Sequence, residues 1–111
     1  MTKNKLKILD IGHSNFNLEK AIITLEIEIS QSIFNNDCKV VKVITGHGSG
    51  VLKEEVKNWC EEQSGRFREV IFGKDYNLFN DKASDMRSEC GIKNDIDYGR
   101  NNGGVIYIWF W

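Results

Sequence analysis

Cys38-Lys-Val-Val-Lys-Val-Ile-Thr45 runs through Gly46-His-Gly-Ser-Gly50 into Val51-Leu-Lys-Glu-Glu-Val-Lys-Asn-Trp-Cys60, and this stretch decides the fold of the 111-residue chain. Its first eight residues are rich in β-branched side chains and predict a central strand. Its last ten place Val51, Leu52, Val56, Trp59 and Cys60 on one helical face, leaving Lys53, Glu54 and Lys57, with Glu61 and Glu62 beyond, on the wet side. A strand that passes through a glycine turn into an amphipathic helix is the repeating unit of a layered α/β fold.

The same unit stands upstream. Residues 6–11, Leu-Lys-Ile-Leu-Asp-Ile, alternate as a short strand with Leu6, Ile8 and Asp10 on one face. A polar stretch then leads to a helix with Asn17 as its N-cap and Phe16 and Ala21 at the positions of a hydrophobic staple. Leu18, Ile22, Leu25, Ile29 and Ile33 form its apolar stripe, and Asn35-Asn36-Asp37 ends it. Downstream, Gly65 occupies the place of a left-handed residue closing the second helix. Residues 67–72 read as a third strand, and 105–111, Val-Ile-Tyr-Ile-Trp-Phe-Trp, as a fourth that is apolar on both faces, which points to burial on both sides or else to an exposed aromatic face for self-association or base stacking. The order predicts an α/β, two-layer sandwich, βαβαβ-(insertion)-β, with a mixed four-stranded sheet and two main helices. One domain covers residues 1–111, with 6–74 and 98–111 as its core. Residues 75–97 read as an insertion, within which 81–90 has pattern enough for two or three helical turns.

Hydrophobic residues make up 41% of the chain and charged residues 28%, which excludes a disordered protein. Cys38, Cys60 and Cys90 are odd in number and lack a Cys-x-x-Cys spacing, so they read as small buried hydrophobes in a reducing compartment, not a disulfide framework or zinc knuckle. No apolar run approaches the ~18 residues of a membrane span, and no signal-peptide core follows the basic N-terminus; the expected location is cytoplasmic, with no membrane partner. Fifteen Lys and Arg against 16 Asp and Glu give a net charge of −1. Residues 75–97 hold six acids and three bases, −3 together, which leaves +2 on the remainder. The near-neutral total therefore lowers the affinity expected for nucleic acid without excluding it.

Three places carry potential chemistry. The Gly46-His47-Gly48-Ser49-Gly50 turn joins a buried strand to a helix N-terminus, where free amides and the helix dipole favour an anion; Ser49 adds a cap or donor and Lys53 adds charge. The alternative is a tight turn that merely needs glycine. Asp10 and His13 follow the first strand, and if the first two strands are parallel neighbours they converge with His47 on one edge. A carboxylate with two imidazoles suits acid–base chemistry or a divalent metal, whereas solvated histidines and a turn-capping Asp10 are the plainer reading. Arg100, Asn101 and Asn102 precede the Gly103-Gly104 turn and offer donors to phosphates or bases, or simply form the turn.

Leu9-Asp10, Thr45-Gly46-His47-Gly48 with the helix behind it, and Gly103-Gly104 before the last strand together resemble the Smr (small MutS-related) domain family. The resemblance implies a small α/β domain similar to the C-terminal domain of translation initiation factor three. It also implies nucleic-acid binding, endonucleolytic cleavage of RNA or DNA stimulated by Mg2+ or Mn2+, and in some members a role at the ribosome. On that basis Asp10, His13 and His47 are the catalytic candidates, and Asp10 the metal ligand. Lys5, Lys7, Gly46, His47, Gly48, Ser49, Gly50, Lys53, Arg100, Asn101 and Asn102 form the nucleic-acid contact set. The chain departs from the family pattern at Gly12, which stands where the family's histidine is expected, with His13 one residue late. RNA is favoured over DNA, because glycine loops suit irregular or single-stranded targets. A non-catalytic RNA- or ribosome-binding module, and more distantly a phosphate-ester enzyme, fit the same residues.

Overall fold

The computed structural model describes residues 6–13 and 17–111. In order, the elements are β1 (Leu6–Asp10), α1 (Leu18–Asn35), β2 (Val40–Ile44), α2 (Val51–Glu62), β3 (Glu69–Phe72), a 3-10 turn (Gly73–Asp75), α3 (Asp81–Cys90) and β4 (Val105–Trp109). The four strands form one mixed sheet in the order β1-β2-β4-β3. β1 and β2 are parallel; β4 enters between β2 and β3, antiparallel to both. The α/β architecture with a mixed four-stranded sheet agrees with the sequence expectation, and the weakly patterned residues 81–90 do form a helix.

Local chemistry accounts for the element ends. The Asn17 side chain accepts a hydrogen bond from the Lys20 amide at 2.8 Å, capping α1 as expected, while its proposed staple partner Phe16 lies outside the described residues. Asn36 closes α1 in the left-handed conformation, and Asn80 caps α3 by accepting from the Lys82 and Ala83 amides. The buried stripe of α1 is Ala21, Leu25, Ile29 and Ser32, rotated from the expected one, so that Leu18 and Ile33 are exposed and Ile22 is half-buried. Small Ala21 and Ser32 let the helix approach the sheet closely, which the larger flanking residues would prevent. In α2, Val56, Trp59 and Cys60 are buried as expected, while Val51 in the first turn is exposed.

Each sheet face has its own core. Under α1 and α2 lie Val41, Val43, Ile106, Ile108 and Phe110, together with Ile11 and Phe67. On the other face Val40, Ile71, Val105, Tyr107 and Trp109 are covered by Tyr76, Ala83, Met86, Cys90 and Ile92. Tyr76 stacks on Tyr107 with ring centroids 4.0 Å apart, and the Arg68 guanidinium lies 3.9 Å from the Trp109 ring centroid while pairing with Glu89 at 2.8 Å. β4 is thus buried on both faces, as its sequence indicates, and only Trp111 beyond its end is exposed. The cover stops short of edge strand β1: of the face expected from its alternation, Leu6 is half-buried but Ile8 is exposed. All three cysteines are buried thiols. Burial, with the neighbouring Glu61 charge, pushes the Cys60 thiol up to about 12.

Met86 is fully buried between α3 and the sheet. Met86→Ala should lower the unfolding free energy by about 2–5 kcal/mol in a chemical denaturation series. A change below about 0.5 kcal/mol would mean that this cover contributes no cooperative core.

Candidate functional site

The parallel pairing of β1 and β2 sets Asp10 opposite Ile44, so the loops after both strands emerge at the same sheet edge. The Ile11 and Gly12 amides both donate to the Ile44 carbonyl at 3.0 Å. Gly12 then lies directly against the next loop: a Cβ there would sit 2.4 Å from the Thr45 carbonyl carbon and oxygen. From the other side, the Gly104 carbonyl accepts the Thr45 amide at 2.8 Å, the Gly46 amide at 3.2 Å and the Thr45 hydroxyl at 3.2 Å. A Cβ on Gly104 would meet the Gly46 carbonyl oxygen at 3.0 Å. Backbone packed on backbone thus gathers residues 10–13, 45–50 and 101–104 into one edge, and glycine is the side chain that permits the contact.

Asp10 and His13 form a direct pair. One carboxylate oxygen accepts the Gly12 and His13 amides, each at 3.0 Å, and the other lies 2.8 Å from His13 Nδ1. Slight burial pushes the Asp10 carboxyl up, but the His13 ring and the two amides outweigh it and hold it below the usual carboxylate range. His13, one residue later than the family's histidine, is thus held against Asp10 by the turn. With Nδ1 engaged by the carboxylate, Nε2 is the ring nitrogen left for a substrate.

The glycine loop is open. His47, Gly48, Ser49 and Gly50 are all exposed, and only the Gly46 amide at its base is taken up by the fold. Gly50, at φ 85°, is the N-cap of α2, and Ser49 accepts from the Val51 amide at a long 3.4 Å. Lys53 stands in the first turn beside the 103–104 segment, with its Nζ 3.1 Å from where a Gly103 Cβ would be.

Other expected contacts are placed differently. Lys5 lies outside the described residues. Lys7 turns to the α1 side of the sheet, where its ammonium meets Glu28 at 3.0 Å and the Ser32 hydroxyl at 3.4 Å, away from the loop edge. Arg100 and Asn101 are exposed, the latter in the left-handed conformation. Asn102 is spent within the fold, donating to Asp97 at 2.8 Å and accepting the Gly104 amide at 2.9 Å. Among the described residues no group of three or more His, Cys, Asp or Glu is placed to hold a metal ion. Asp10 and His13 alone do not make a closed metal site, although one carboxylate together with substrate phosphates is an ordinary way to hold Mg2+. Among the described residues no helix is long and apolar enough to cross a membrane.

A family model described as the Smr domain matches residues 14–76, more than half of the chain. The chain belongs to the Smr domain family. Smr domains generally bind nucleic acids, and some members are endonucleases. The matched stretch contains Thr45-Gly46-His47-Gly48 but begins just after His13 and ends before Gly103. Among solved structures, the Smr domain of Thermus thermophilus MutS2 is similar in fold, with a TM-score of 0.57 at 10% identity, covering 96% of this chain and 98% of that one. No curated protein matches the chain.

Sequence reasoning missed the group that holds the 101–104 turn of this Smr domain in place. Lys42, in the middle of β2, points to the second sheet face and is 5% exposed. Its ammonium pairs with Asp95 at 2.6 Å and with Asp97, whose side chains are 2% and 12% exposed. Tyr107 donates to the second Asp95 oxygen at 2.5 Å. Asp97 then holds Asn102, Asn102 holds the Gly104 amide, and Gly104 holds Thr45 and Gly46. A chain of polar contacts thus runs from the sheet centre to the glycine loop. The signals in the sequence were a lone lysine within Val40-Val-Lys-Val-Ile44 and the acid pair of Asp95-Ile-Asp97, but the two stand 53 residues apart.

Burial pushes Asp97 up and Lys42 down; for Asp97 the hydrogen bonds from Asn102 and Lys42 and the Lys42 and Arg100 charges outweigh it, and for Lys42 the hydrogen bonds and charges of Asp95 and Asp97 do, so Asp97 is held below its ordinary value and Lys42 above. The Asp97 contribution to stability is present above the unfolded carboxylate value, ~3.9, and is lost as pH falls through the folded one. That of Lys42 is present below ~10.4 and is lost as pH rises through its raised folded value. Lys42→Met leaves two buried carboxylates unpaired and should cost about 3–5 kcal/mol at pH 7. Urea unfolding of both proteins across pH 2–7 (a range chosen to span ~3.9) should show this difference shrinking in acid; a constant difference would deny the pairing.

Proposed function

We propose that this Smr domain binds a single-stranded or looped nucleic acid, RNA in preference to DNA, across the edge built by residues 10–13, 45–50 and 101–104, and hydrolyses a phosphodiester bond there. The observation that carries the reading is the convergence of the Asp10–His13 pair with an open glycine loop at the start of α2. A backbone phosphate sits over the exposed Gly48–Gly50 segment, facing the positive end of the helix, with Lys53 and Arg100 adding charge. His13 Nε2 takes the proton of the attacking water as its oxygen bonds to phosphorus, the bond from phosphorus to the departing sugar oxygen breaks, and that oxygen takes a proton from solvent; the carboxylate of Asp10 orients the ring and steadies its charged form. The lowered Asp10 value keeps that carboxylate ionised at neutral pH. Exposed His47 contacts the strand from the opposite loop. Mg2+ or Mn2+, held by Asp10 with phosphate oxygens, would neutralise charge on the phosphate.

One observation favours a second reading, binding without cleavage. The His13 and Asp10 side chains are 72% and 39% exposed, whereas acid–base catalysis gains from exclusion of water. Both readings predict binding of a labelled single-stranded RNA that weakens steeply with salt, log K falling by about 0.7 per log unit of salt for each phosphate contact. Only the catalytic reading predicts Mg2+- or Mn2+-dependent cleavage that falls by roughly 100-fold or more in Asp10→Asn or His13→Ala with affinity within about twofold. Salt-sensitive binding with no cleavage by the unmodified protein would leave the binding module. Absence of salt-sensitive binding would remove both.

A further inference from the structure

Beside the glycine loop, α2 and the end of β3 enclose a cavity of about 380 Å3 that none of the sequence motifs marks. Lys53 and Lys57, one helical turn apart on α2, form one wall; Lys74, in the turn after β3, forms another. Gly73 closes the base by backbone contact, since a Cβ there would fall 1.9 Å from the Asn102 carbonyl oxygen. Phe72 offers an aromatic face, with Lys57 Nζ 5.9 Å from its ring centroid. Gly103 and Lys53 belong both to this cavity and to the loop edge, so the two are continuous.

Apart from the Lys57 contact with Phe72, these charges are not matched by an ion pair among the described residues. Among the described residues the ion pairs involve Lys7, His13, Lys42, Arg66 and Arg68, and none of the three cavity lysines. Most other cations near the core are neutralised by a carboxylate on a facing element, as Arg66 is by Glu26. Glu54 and Asp75 also line the opening, so three ammonium groups face two carboxylates, a balance of +1. That balance suits a singly charged phosphodiester better than a multiply charged ligand such as pyrophosphate or a nucleoside triphosphate. A part-buried phenylalanine beside the lysines suits a strand whose bases are free to lie against it.

We propose that this cavity is a second subsite for the nucleic-acid strand, in which Lys57 and Lys74 contact backbone phosphate next to the one held at the glycine loop. The subsite rests on the nucleic-acid reading above and deepens it by giving the strand a direction: from the 45–50 loop past Gly103 toward the end of β3. It also adds two contacts, Lys57 and Lys74, that the contact set expected from the sequence does not include. A strand too short to leave the glycine loop gains nothing from them.

The test is fluorescence anisotropy of the full chain with a labelled dinucleotide and a labelled single-stranded decanucleotide, each over a salt series. Lys57→Gln/Lys74→Gln should weaken decanucleotide binding by roughly three- to tenfold and reduce its log–log salt slope by about 1.4, the value for two single-strand phosphate contacts. Dinucleotide binding should be unchanged, and Lys57→Arg/Lys74→Arg should restore the decanucleotide slope. Lys82→Gln/Lys93→Gln, an equal charge change at exposed positions that do not line the cavity, should leave the slope as it is. An unchanged slope in the cavity variant, or an equal loss in the control, overturns the subsite while the loop site stands. Loss of salt-sensitive binding by the unmodified protein to both probes overturns the two together. Circular dichroism melting of each variant confirms the fold.

Discussion

A lysine ammonium buried at the centre of the sheet is the constraint on which the rest of this molecule depends. Lys42 sits on an interior strand, opposite Tyr107 in the register, and cannot remain charged there alone. Its neutralisation by Asp95 and Asp97 fixes where the segment after β3 must return. Once those carboxylates are in place, Tyr76, Met86 and Ile92 fall over the apolar residues of β3 and β4. A buried ion pair gives little net stability over an apolar substitute, but it specifies a unique arrangement. Here the arrangement it specifies includes the turn that supports the glycine loop, through Asn102 and Gly104.

The loop edge illustrates how little side-chain chemistry a small domain needs to assemble a site. Gly12 and Gly104 press from either side on Thr45 and Gly46, so three loops from different parts of the chain are held chiefly by main-chain contact, to which the Thr45 hydroxyl and the Asn102 side chain add. That edge carries the paired Asp10 and His13 side chains, with exposed His47 and Lys53 beside them. Rigid backbone below and exposed polar groups above is a geometry suited to a backbone phosphate, which presents charge but little shape. The cavity beside it shares Gly103 and Lys53 with the same edge, and so inherits its support.

The strand–turn–helix reading of residues 38–60, the cap at Asn17, the two-sided burial of β4 and the parallel pairing that unites Asp10 with the glycine loop were all legible in the sequence. Each depends on periodicity or on short-range turn chemistry. The roles of Lys7 and Asn102 were not legible, because a lysine beside a strand and an asparagine beside a glycine turn look alike whether they face a ligand or the fold. Lys7 is tied to Glu28 and Asn102 to Asp97 by contacts that local pattern does not reveal. The outward rotation of Leu18 and Ile33 was hidden for a related reason: several faces of α1 carry isoleucines, and only the sheet's position selects which is buried.

By itself, the sequence determined the class of the domain, the order of its elements and the glycine-rich edge that holds the candidate site, since these follow from local conformational preference and from which faces are apolar. Only the tertiary structure decided that residues 75–98 cover a second core, that Lys42 is buried against Asp95 and Asp97, and that Lys53, Lys57 and Lys74 surround one cavity. Those features pair residues tens of positions apart. Whether a charge there is neutralised by the fold or left for a partner depends on distances that appear only when the chain is packed.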